Sequence, residues 1–214
     1  IVNTGVLDAN KNLVSKSDLT EWKPIGARWS SYTGTFDGQG YTISGLYFNN
    51  PTSSYVGLFG SIGAKGKLSD VGVLDSYFQF NAVGGVVCGS NNGVLQNCSN
   101  SSTVFGTDER AIIGGVCGLN NGTVRDCKNT GSVRGHETIG GVCGYNNYSG
   151  IIENSFNEGT FSETVESVGG VCGENSGTIK SCYNTASVSG QNSVGGVCGL
   201  NSRGIITNAL MKAL

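Results

Sequence analysis

Charged residues make up only 13% of this 214-residue chain, about half the usual share. The net charge is −2, and no basic stripe is present to track a phosphate backbone, which argues against nucleic-acid binding. No apolar run reaches the ~18 residues that a membrane-spanning helix needs. There is one histidine, His136, so His-dependent triads and most zinc sites have little to build on. Proline occurs only twice, whereas glycine occurs 36 times. So much glycine disfavours helical repeats. With abundant Asn, Ser and Thr it suits short strands joined by tight turns. The start, Ile1-Val2-Asn3-Thr4-Gly5, has neither the basic nor the apolar part of a signal peptide. The chain is expected to be part of a longer polypeptide.

What the sequence does contain is one pattern written repeatedly. Val168-Gly169-Gly170-Val171-Cys172-Gly173-Glu174-Asn175 recurs around Cys88, Cys117, Cys143 and Cys198, in steps of 29, 26, 29 and 26 residues. Val56-Gly57-Leu58-Phe59-Gly60 is a looser copy. A fixed period of this size marks a stacked repeat, in which each copy buries its apolar face against its neighbours.

Overlaying the copies produces columns. Leu95, Val124, Ile152, Ile179 and Ile206 form one, and Cys98, Cys127, Ser155, Cys182 and Ala209 the next. Val104, Val133, Phe161 and Val188 form a third, and Ile113, Ile139, Val168 and Val194 a fourth. Asn91, Asn120, Asn146, Asn175 and Asn201 follow the main cysteines by three residues. Asn100, Asn129, Asn157 and Asn184 follow the second small column by two.

Each copy holds three apolar pieces bounded by Gly or Asn. The expected fold is therefore all-β: a right-handed parallel β-helix with 26–29 residues and three short strands per coil. Successive coils would stack about 4.8 Å apart, with like residues above one another. The Asn columns are expected at bends, tolerating left-handed backbone and bonding amide to amide. Residues 1–22 are expected to cap the first coil, with one helical turn near Asp18–Glu21. Residues 23–55 would form an irregular lead-in coil, 56–209 the repeats, and 210–214 a tail.

Gly57-Leu58-Phe59-Gly60 and the Gly-Val-Cys-Gly copies resemble the GLUG motif, and Gly34–Phe48 resembles the segment that commonly precedes it. The resemblance spans roughly residues 22–209. It implies a bacterial surface or secreted protein, since such repeats occur in filamentous adhesins and beside the catalytic parts of IgA-specific metallopeptidases. Val replaces Leu in most copies, and Cys fills the variable position.

Eight cysteines in a secreted chain suggest disulfides. In-coil pairs Cys88–Cys98, Cys117–Cys127 and Cys172–Cys182 are one reading, but Ser155 and Ala209 would leave Cys143 and Cys198 without partners. Stacked, reduced thiols acting as small hydrophobes are the favoured reading. No Cys-x-x-Cys occurs, so neither metal nor cofactor is expected.

His136-Glu137-Thr138-Ile139-Gly140 begins like a zinc-peptidase motif but lacks its second His. The chain is therefore expected to be non-catalytic. The variable bends hold Asp108, Glu109 and Arg110, then Arg134, His136 and Glu137, then Glu163 and Glu166. Stacked carboxylates there could do acid–base work on a polysaccharide or hold calcium, although a solvated edge explains the same residues. Tyr145, Tyr148, Phe156 and Tyr183 are expected to point outward, where aromatics stack on sugars or anchor partners. The expected function is adhesion to a host protein or glycan. The alternatives are a substrate-positioning region of a larger secreted hydrolase and a carbohydrate-active β-helix.

Overall fold

The computed structural model describes residues 3–14, 18–162 and 166–212. Every element in them is a β-strand, and parallel pairing joins the coils into a solenoid. The strands form four stacked sheets, not three. The six-stranded cysteine sheet runs from Phe59–Ile62 to Cys198–Asn201, and the seven-stranded isoleucine sheet from Thr35–Asp37 to Ile205–Thr207. A ten-stranded long sheet carries the Asn100 column. The five-stranded glycine sheet runs from Val83–Gly85 to Ser193–Gly195. Ile112–Gly114 and Cys117–Asn120 look like one strand in the sequence, but the chain turns between them at Gly115-Val116. An added Cβ at Gly114 or Gly140 would collide with the carbonyl oxygen of Cys117 or Cys143. Only glycine lets the two strands approach that closely.

The columns stack in register. Leu95, Val124, Ile152, Ile179 and Ile206 are consecutive Cα partners. Cys88, Cys117, Cys143, Cys172 and Cys198 are likewise. The first four of each set are fully buried.

The asparagine columns bond as ladders. Asn91, Asn120, Asn146 and Asn175 each donate Nδ2–H to the next Oδ1 at 2.8–2.9 Å. Asn100, Asn129 and Asn157 do the same at 2.7–2.8 Å. Neither column takes the left-handed backbone expected of it. That conformation belongs to another column, Asp70, Asn97, Asp126, Asn154, Ser181 and Asn208, with φ of 50–57°. One such residue per coil turns the isoleucine sheet into the long sheet, and short polar side chains tolerate the conformation best. All the ladder residues but Asn201 instead sit buried, most of them at strand ends, where an unpaired amide would be costly.

At four of these six corners the side chain of the next residue donates to the carbonyl two residues back. Cys98, Cys127 and Cys182 do so at 3.2 Å, and Ser155 at 2.9 Å. The serine therefore does the same job as the thiols. All eight cysteines are free. Cys127→Ser is expected to change stability by less than about 1 kcal/mol. Thiol titration should find eight groups after denaturation and far fewer, slowly reacting, in the native protein. A denatured, non-reduced count of two or fewer would contradict the free-thiol column.

Burial pushes the Cys88 and Cys143 thiols well above their ordinary range and Cys182 up to about 11. At Cys117 and Cys172 burial acts the same way, but hydrogen bonding with the thiols on either side outweighs it and holds both below their ordinary range. A thiol whose folded-state pKa is raised contributes its stability below the unfolded pKa, near 8.5, and loses it as pH rises toward the folded value. Urea midpoints should therefore fall between about pH 9 and pH 11, with Cys182 contributing on the order of 2–3 kcal/mol. The decline should be shallower in Cys182→Ser. An identical decline in both proteins would contradict this origin.

Residues 6–14 lie beside the stack, whereas Trp22 meets the end strand Tyr47–Asn49. Leu7 N–H donates to Asp75 Oδ1 at 2.9 Å, and Lys11 Nζ to Ser101 O at 2.9 Å. Arg134 Nη2 donates to Asn12 Oδ1 at 2.9 Å. Residues 6–14 thus run along the side of the long sheet, with Val6 packed against Tyr47 and Tyr77. The expected helical turn does not form over 18–22, and 15–17 lie outside the described residues. The segment is extended instead, with Trp22 N–H bonded to Tyr47 O at 2.6 Å. The top rung comes from Ile25 and Tyr32, which bridge to Phe59 and Ile62.

Candidate interaction surface

Because inward positions carry core and ladders, chemistry is confined to outward positions and bends. The long sheet presents Ser99, Lys128, Phe156, Tyr183 and Leu210 as one outward row in register. Phe156 and Tyr183 stack with centroids 4.7 Å apart and planes at 5°. Lys128 Nζ lies 5.1 Å from the Phe156 centroid and 3.1 Å from Glu158 Oε2. This row borders an open cleft of about 1070 Å³ lined by Glu158, Thr160, Tyr183, Thr185, Ser187 and Leu210. One face of each aromatic is spent on the other, and Lys128 covers Phe156 from beyond. The row therefore offers ring edges, hydroxyls and one exposed ion pair worth little to stability.

The remaining sequence candidates scatter. Asp108, Glu109 and Arg110 form a turn in which Asp108 Oδ1 accepts from Arg110 N–H at 2.8 Å. Arg134 is engaged with the N-terminal segment. His136 meets the Phe105 ring at 6.5 Å with planes at 61°, and its carbonyl accepts from Glu166 N–H at 2.9 Å. The Glu137 carbonyl accepts from Ser167 N–H at 2.8 Å. Glu163 lies outside the described residues. Tyr145 stands on the cysteine sheet between Leu119 and Glu174, its hydroxyl 3.4 Å from Ser176 Oγ. Tyr148 is 67% exposed on a separate bend. Among the described residues, no three His, Cys, Asp or Glu side chains converge to hold an ion.

Sequence reading passed over the most exposed aromatic of all, Trp29, at 88%. The Arg28 guanidinium lies 4.8 Å from its ring and 5.1 Å from that of Tyr55. The Arg28-Trp29-Ser30 text lies in the non-repeating part of the chain, so no column pointed to it.

No family model matches this chain. It is 34% identical over 98 residues to a protein of Evansella cellulosilytica provisionally named a Gly-rich membrane protein, covering 41% of this chain and 11% of that one. It is 32% identical over 109 residues to halomucin of Haloquadratum walsbyi, covering 49% of this chain and 1% of that one. The matches thus span only a small part of each relative's length. A solved structure from Bacteroides ovatus, provisionally named an immunoglobulin A1 protease, shares the fold. Its TM-score is 0.69 at 20% identity, with 92% of this chain and 67% of that one covered. The resemblance is one of architecture: a parallel β-solenoid. Among the described residues, no helix is long and apolar enough to cross a membrane.

Proposed function

We propose that this chain is a non-catalytic extracellular or cell-surface β-solenoid segment that presents outward side chains to a host protein or glycan. One observation carries the reading: core and amide ladders occupy the interior, leaving the bends and the Lys128–Phe156–Tyr183 row for interaction. The surface-type names of two relatives support the location. Immobilised protein is expected to bind a component of a glycan or extracellular-matrix array saturably, while hydrolysing no acidic polysaccharide. Polysaccharide cleavage, or no ligand above background, would count against it.

A second reading has one observation in its favour, the solenoid of the provisionally named immunoglobulin A1 protease. The segment would then hold substrate beside a catalytic part elsewhere in a longer secreted hydrolase. Deleting it from the full-length protein would raise KM for the macromolecular substrate and leave kcat for a small one unchanged.

A further inference from the structure

The loop at Arg28-Trp29 is a built tip. Ala27 and Ser30 exchange N–H···O bonds, both at 3.0 Å, closing a two-residue hairpin. Both legs are fixed to the strand below: Ile25 N–H donates to Leu58 O at 3.1 Å, and Tyr32 N–H to Ser61 O at 2.9 Å. Trp29 therefore stands in solvent on a pinned support, where a floppy loop would lose more entropy on binding. Arg28 lies between the rings of Trp29 and Tyr55 and has no carboxylate partner among the described residues. Tyr55 has φ 64°, costly for a bulky side chain, and is held by its N–H bond to Val83 O at 2.7 Å. Such outliers concentrate at functional sites. Here the strained backbone props the second ring against the guanidinium.

We propose that Arg28 and Trp29, supported by Tyr55, bind an acidic sugar. The open indole face stacks on the C–H face of a pyranose ring, and the guanidinium takes its carboxylate. This goes beyond the function proposed above by naming a site and a ligand class. Aromatic rings supply flat apolar area at low entropic cost, and the guanidinium fork matches a carboxylate bidentately. An acidic peptide fits less well. The backbone groups of Ala27 and Ser30 are spent inside the hairpin, leaving no strand edge to augment.

The test is titration with trigalacturonate, sialyllactose, lactose and hexaglutamate, followed by calorimetry and tryptophan fluorescence. The other tryptophan, Trp22, is partly buried with its indole N–H on Gly57 O, so the Trp29 signal should dominate. At least one acidic sugar is expected to bind saturably, at least tenfold tighter than lactose. Affinity should fall at least tenfold in Arg28→Lys and Trp29→Ala, with unchanged melting because both side chains are exposed. The proposal is overturned if neither acidic sugar binds, if binding survives both substitutions, or if hexaglutamate binds as tightly. An array ligand retained by Trp29→Ala would overturn this site alone and leave the proposed function standing.

Discussion

Val133→Asp is expected to destabilise the protein by about 4–6 kcal/mol at pH 7. Val133 is fully buried and pairs with Val104 above and Phe161 below. A lone carboxylate there has no partner and will stay protonated. Holding an acid of unfolded pKa near 3.9 neutral at pH 7 costs about 4 kcal/mol, and the lost valine methyls add to that. The sign with pH follows. A carboxyl whose folded pKa is raised penalises the fold increasingly as pH climbs above the unfolded value. The variant should therefore recover much of its melting temperature between pH 7 and pH 4, relative to the parent. Unchanged melting at pH 7 would mean that this column is not interior.

The second large effect is expected at the amide ladder. Asn146 is fully buried. It accepts from Asn120 at 2.8 Å and donates to Asn175 at 2.8 Å and to Gly150 O at 3.2 Å. Asn146→Ala removes these bonds, leaves polar atoms of two neighbouring coils under-satisfied and opens a small void. Each lost bond costs about 0.5–1.5 kcal/mol, more where a group is orphaned, so the total should reach about 3–5 kcal/mol. Asn201→Ala removes the exposed end of the same ladder and should cost about 1 kcal/mol or less. Equal costs at the two positions, measured by urea midpoint, would contradict a ladder whose value depends on burial and two-sided pairing.

The columns were legible because stacking repeats the same environment at the same offset. Ile152, Ile179 and Ile206 could be aligned by counting, and the Asn ladders followed from the same arithmetic. The fourth sheet was not, because Gly114-Gly115-Val116 carries no turn signal stronger than the glycines found everywhere in this chain. The left-handed corners could have been found: Asn97, Asp126, Asn154 and Asn208 precede the second small column in copy after copy. The asparagines that recur at fixed offsets from the cysteines, such as Asn120 and Asn146, are instead those with the most hydrogen bonds. The N-terminal course along the long sheet rests on pairs such as Arg134–Asn12, separated by 122 positions, and nothing local encodes it. The surface candidates fared least well. Outward side chains obey no periodic constraint, so Arg134 looked free while bound to its own chain, and Trp29 went unnoticed.

The most direct check of the stacked architecture is a methyl NOE experiment on protein labelled at isoleucine δ1. In-register coils about 4.8 Å apart predict strong cross-peaks for Ile152–Ile179 and Ile179–Ile206 and a weak or absent one for Ile152–Ile206. Missing nearest-neighbour cross-peaks, or a strong one that skips a coil, would contradict the account.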